Sequence, residues 1–183
     1  MFGLRRIVTI GAVLGCTAAL SWIADARTAG DAPTDPQIVG IVVTANQIDI
    51  DHAKVALSKS KNKEVRDFAQ QMVTDHKALQ KSVSDLGAKL NVTPADSETR
   101  NSLESQAQQT TEKLSALNGR AFDKAYIENE VSYHQAVINA VSSVLIPNAQ
   151  NAALKGALQS AAPLFQGHLE HAQTVKADLG NKK

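Results

Sequence analysis

The stretch Val65-Arg66-Asp67-Phe68-Ala69-Gln70-Gln71-Met72-Val73-Thr74-Asp75-His76 decides how this chain folds. Val65, Phe68 and Met72 recur at steps of three and four, and the stripe continues through Leu79, Val83, Leu86 and Leu90. Such steps keep side chains on one face of a helix with 3.6 residues per turn, so the segment predicts an amphipathic helix capped by Asn62. Asp75 and His76 fall where the stripe requires its next member. Adjacent residues point about 100° apart, so these two straddle the stripe.

The same periodicity recurs outward. Upstream, Asp35 and Pro36 predict an N-cap and first helical position, followed by Ile38, Ile41, Ala45, Ile48, His52 and Val55. Downstream, Phe122, Tyr126, Tyr133, Val137 and Val144 run beside Ile127, Val131, His134, Ile138 and Leu145. Ile146-Pro147-Asn148 predicts the turn into a last segment striped by Leu154, Leu158, Ala161, Phe165, His168, Ala172, Val175 and Leu179. Pro163 predicts a kink there and Gly180 a stop. Between the two halves, Asn91 to Gly119 is polar and keeps only a weak stripe of Leu103, Ala107, Thr110, Leu114 and Leu117. It predicts a long connector holding one short helix, begun at Thr93-Pro94 and crossing the end of a bundle. A faint repeat, with His76 aligned on His168 and His52 on His134, pairs the four long segments as two hairpins. The expected fold is all-α: a four-helix bundle over 35–180 with its connector at 91–119 and a tail at 181–183.

The first 26 residues read as an address. Arg5 and Arg6 precede the apolar run Ile7 to Leu20, and Ala24-Asp25-Ala26 has the small residues that signal peptidase cleaves after. This predicts export to the periplasm, with 27–34 a flexible linker and no membrane span in the mature chain. Cys16, the only cysteine, sits in Val13-Leu14-Gly15-Cys16, which resembles a lipoprotein box. Lipid anchoring through Cys16 is the alternative localisation. Cleavage after Ala26 leaves no thiol and, with Arg5, Arg6 and Asp25 removed, a formal net charge of zero. A neutral chain with scattered lysines gives no field for nucleic acid, so partners reduce to an envelope protein or a second copy.

Three sets of residues carry a family resemblance. They are Val65 to His76 with its Met-Val-x-Asp-His element, Leu117 to Tyr126 with its Phe-Asp-x-x-Tyr element followed by His134, and Pro163-Leu164 followed by His168-Leu169. Over nearly the whole mature chain the sequence resembles the exported bacterial ferritin-like helical proteins grouped as domain of unknown function 4142. The resemblance implies an up-and-down helical bundle and no known activity. The chain departs from the pattern at Asp49 and Asp51, where glutamates are usual.

Histidines in a helical core stripe need partners for their ring nitrogens, and this chain places one on each long segment. The ferritin-like di-iron site uses Glu-x-x-His pairs, and none occurs here. The nearest pairs sharing a face are Asp49 with His52, Glu130 with His134 and His168 with His171. Counting from a turn at Lys61-Asn62 sets His76 level with about Gln47, and so near Asp49, with His52 on the order of 7 Å away along the axis. Counting from Ile146 to Asn148 sets His168 and His171 level with Tyr126 and Asp123. One cluster of all five histidines is therefore not expected. The candidate metal set is His76, His168, His171, Asp49, Asp75, Asp123, His134, Glu130 and His52, suited without thiolate to divalent Fe, Zn, Cu or Ni. The bland alternative is a hydrogen-bonded polar core, and Met72 reads as core filler. Three roles stay open. A non-catalytic structural, stress-related or partner-binding module is preferred, a metal-binding protein is the alternative, and a ferroxidase-type oxidoreductase comes last.

Overall fold

The described residues form five long helices: α1 (Asp35–Lys59), α2 (Lys63–Leu90), α3 (Glu98–Ala116), α4 (Gly119–Ala140) and α5 (Ala152–Asn181). α4 runs on through a π turn, Val141–Leu145, and a last helical turn, Ile146–Asn148. The computed structural model describes residues 32–181. The export segment with Cys16, most of the expected linker and the end of the tail lie outside the described residues.

Local chemistry sets the helix ends. Asn62 accepts the Glu64 and Val65 amides, as its place before the stripe predicts. α1 begins one residue earlier than expected: Thr34 is the N-cap, and its amide donates to the Gln37 side chain. Asp35 is thereby freed to accept the Gln150 and Asn151 amides, pinning the start of α1 to the turn before α5. The connector helix is also longer and later than expected. Thr93-Pro94 stays non-helical, Ser97 accepts the Arg100 amide, and α3 runs for 19 residues. α2 ends on Asn91 in the left-handed conformation, φ 54°, which Asn tolerates better than most residues. Two arginines cap carbonyls at the far end of the bundle. Arg66 donates to the Leu57 and Ser60 carbonyls, and Arg120 donates to that of Leu179. α5 continues through Pro163 and through Gly180, so the expected stop is passed by one residue.

α1 packs antiparallel on α2, and α4 on α5. α3 lies along α1 in the same direction, with Arg100 bonded to Thr44, His52 near the Ala107 carbonyl and Lys59 bonded to that of Ser115. The connector thus returns the chain to the end where α1 finishes, so α2 and α4 run the same way. Two hairpins joined by one long crossover form a ferritin-like four-helix bundle.

The bundle interior is divided. One apolar cluster holds Phe68, Met72, Phe122, Tyr126, Ala172 and Leu179, and the other holds Ile38, Val83, Leu145, Leu154, Leu158 and Phe165. Between them, near the middle of each core helix, lies a buried layer of Asp49, His76, Glu130, His134 and His168. Gly40 secures the outer end. A Cβ there would stand 2.3 Å from the Ala95 carbonyl oxygen, so the connector lies directly on α1, held also by the Ala95 amide bonded to Pro36. Among the described residues no helix is long and apolar enough to cross a membrane.

Candidate metal centre

His76 comes from α2, His134 from α4 and His168 from α5, and their ring centroids lie 5.2–5.7 Å apart. Asp49 of α1 completes the ring of helices. Its Oδ2 is 3.2 Å from His76 Nε2 and 3.5 Å from His134 Nε2. Glu130, one turn before His134, stands 3.6 Å from the His134 ring. His76, His134 and His168 form one group whose ligand atoms lie within 4.8 Å of one another, and Asp49, Glu130 and His134 form a second.

Each histidine is tied from behind. The Asn46 amide group donates to the Val42 carbonyl, which turns its oxygen toward His76 Nδ1 at 2.8 Å. His134 Nδ1 donates to the Glu130 carbonyl at 3.0 Å, and His168 Nε2 donates to Asp75 at 2.9 Å. A neutral imidazole carries one proton, so these partners leave lone pairs on His76 Nε2, His134 Nε2 and His168 Nδ1. Those three nitrogens, both Asp49 oxygens and Glu130 Oε2 are buried with no hydrogen-bond donor.

Acceptors facing acceptors repel unless something positive lies between them. Burial, with the neighbouring rings, pushes His76 down to about 2 and His134 down to about 3, so neither ring supplies charge near neutrality. His168 is lowered as well, burial outweighing the support of Asp75. Burial raises Asp49 to about 8, and burial plus Asp49 raises Glu130. One proton on Asp49 satisfies at most one of the three nitrogens. Contacts of 3.2 and 3.5 Å are close to the edge of a tetrahedron built on metal–ligand bonds near 2.05 Å, roughly 3.3 Å.

Of the nine sequence candidates, the structure brings together His76, His134, His168, Asp49 and Glu130, with Asp75 directly behind His168. His171 is turned away, bonded to Gln71 and edge-on to Phe68. His52 is buried between α1 and α3. Asp123 lies two turns before Glu130, roughly 10 Å along α4, with one oxygen unpartnered.

His168 is therefore level with His134 and not with Tyr126, a correction with a definite cause. α4 continues through its π turn to Asn148, so the chain reverses at residues 149–151 and not at 146–148. Moving the hairpin's midpoint from 147 to 150 moves the residue facing His168 by about six, from Tyr126 to within a turn of His134, roughly 9 Å of helix. Asn46 was missing from the sequence candidates. Its signal was the i, i+3 spacing to Asp49, which puts both on one face of α1.

Residues 22–175 match the family described as domain of unknown function (DUF4142), and the chain belongs to it. No curated protein matches at a significant level. A Streptomyces coelicolor protein of the DUF305 group, described as secreted, has a similar crystal structure at 10% identity. The TM-score is 0.67, over 80% of this chain and 94% of that one. At that identity the likeness speaks for the fold alone.

Proposed function

We propose that this is an exported metal-binding protein that holds a divalent transition-metal ion at the centre of its bundle. His76 Nε2, His134 Nε2, His168 Nδ1 and an Asp49 oxygen are its ligands, and Glu130 adjoins them. The observation that carries this reading is the grouping of three buried imidazoles with unpartnered lone pairs, two of them 3.2 and 3.5 Å from an undonated Asp49 oxygen, each ring fixed by a partner on its other nitrogen. Such outer partners orient metal-ligating histidines. A purely structural polar core would instead pair these atoms with donors. Two carboxylates beside three neutral rings balance a dication, and an imidazole–carboxylate set without thiolate suits zinc, iron, copper or nickel. Export is supported by the Arg5-Arg6, apolar-run and Ala24-Asp25-Ala26 pattern of the sequence. The similar Streptomyces protein, also described as secreted, agrees with it.

Elemental analysis of the purified protein, after reconstitution with each of the four metals, tests the reading. The expected result is about one tightly held ion per chain, lost in His76→Ala and His168→Ala variants that keep their helical circular dichroism. No retained metal under any of the four conditions overturns it.

A further inference from the structure

The bundle half between the histidine layer and the α4–α5 turn contains a cavity of about 100 Å³, partly open to solvent. We propose that this cavity is a binding site for a neutral aliphatic chain, whose inner end rests against the His76 imidazole.

The space has a sequence cause. Ala45, Ala140, Ala157 and Ala161 line it from three helices. Ala45 and Ala161 occupy stripe positions whose neighbours are Ile41, Ile48, Leu158 and Phe165, so the stripe narrows where a larger residue would close the core. The π turn of α4 adds a second feature. Its Val141 and Leu145 both lie on the wall, and single π turns inside α-helices are frequent at functional sites. Close-packed interiors contain few voids larger than a water molecule, and unfilled ones cost stability.

Shape and chemistry select the occupant. The wall follows α4 from Tyr133 to Leu145 and α5 from Leu154 to Phe165, roughly 17 Å of each helix. That length suits a chain better than a compact ring system. The wall includes no Lys, Arg, Asp or Glu. Its inner polar groups are already engaged: Asn46 with Val42 and His76, and the Tyr133 hydroxyl with the Ala45 carbonyl at 2.8 Å. A charged headgroup would be buried without a counter-ion, so the ligand is neutral. Phe165 stacks over the His76 ring at 6.2 Å, and neither His134 nor His168 lines the cavity. Ser82 is the exposed residue of the wall, and with half-buried Leu79, Ala157 and Ala161 it places the entrance along the seam between α2 and α5.

Fluorescence of N-phenyl-1-naphthylamine, titrated into the purified protein and displaced by 1-octanol or by octanoate, tests this. Saturable enhancement is expected, with 1-octanol displacing the probe at a concentration at least about tenfold lower than octanoate does. Ala161→Phe, at a half-buried position, should weaken probe binding by about tenfold or more with helicity retained. If that variant does not fold, Leu79→Trp at the entrance serves the same purpose. Asp49→Asn with His134→Ala removes proposed metal ligands that do not line the cavity, and probe binding should survive there, so failure of the metal reading and failure of this one are separable. Absence of saturable binding by the unaltered protein, equal displacement by octanoate, or unchanged binding in a folded Ala161→Phe or Leu79→Trp variant overturns the proposal.

Discussion

The Asp75 carboxylate accepts a hydrogen bond from His168 Nε2 at 2.9 Å, across the seam between the two hairpins. Asp75 and His76 are neighbours in sequence yet act on opposite sides of the layer, since the 100° step between them sends His76 into the interior and leaves Asp75 at its edge. Asp75 keeps about a quarter of its side chain exposed, whereas His168 has none. Asp75 therefore positions the ring, fixing which His168 nitrogen bears the proton.

Replacement of Asp75 by Ala should weaken metal affinity about 10- to 100-fold, the usual effect of losing such an outer partner. Asp75→Asn keeps an acceptor oxygen and should restore most of that affinity. Competition titrations with a chromogenic chelator measure both variants, and equal affinities in wild type and Asp75→Ala would remove the positioning role.

Asn46 should matter for stability as well as for binding. Asn46→Ala leaves the buried His76 Nδ1 without its acceptor, an expected loss of about 1–3 kcal/mol. Urea unfolding of the metal-free protein reads this directly, and a midpoint unchanged from wild type contradicts it.

Gly40 tests the seating of the connector on α1. Its Cβ would meet backbone oxygen at 2.3 Å, so Gly40→Ala must push the Ala95 segment away and should cost about 1–3 kcal/mol. For a domain of this size that lowers Tm by roughly 2–12 °C. A Tm at or above that of wild type would show that the connector moves without cost.

His52 should make the metal-free protein sensitive to acid. Burial holds its pKa below the usual 6.5, against the opposing pull of the Ala107 carbonyl and Asp51. The unfolded chain takes up this proton as pH falls through about 6.5 while the folded chain resists it, so the contribution is present above 6.5 and is lost on acidification. His52→Leu should flatten the dependence of unfolding free energy between pH 7 and 5, by up to about 1.4 kcal/mol per pH unit. Parallel profiles for variant and wild type would assign the acid sensitivity to other groups.

Much of the site was legible in the first hairpin and little in the second. The Lys61-Asn62 turn is marked by a cap, and residue counting from it puts His76 level with about Gln47 and near Asp49, beside which the structure has it, with Asn46 as its further partner. In the second hairpin Pro147 reads as a turn. Yet Pro147 follows the π turn at Val141–Leu145 and sits in the first positions of the turn Ile146–Asn148, where a missing N–H is tolerated, and α4 runs past it. That miscount separated His134 from His168 and wrongly favoured His171 and Asp123.

Sequence alone determined the four core helices, the face each one buries, the export pattern and the presence of imidazoles on those faces. These are local consequences of a 3.6-residue period and of caps, and a single segment carries them. Tertiary structure decided which imidazoles meet, which nitrogen each one leaves free, and where the alanines leave space. Those outcomes depend on where each hairpin reverses and how far one helix slides along another, quantities set by packing between segments and written in none of them individually.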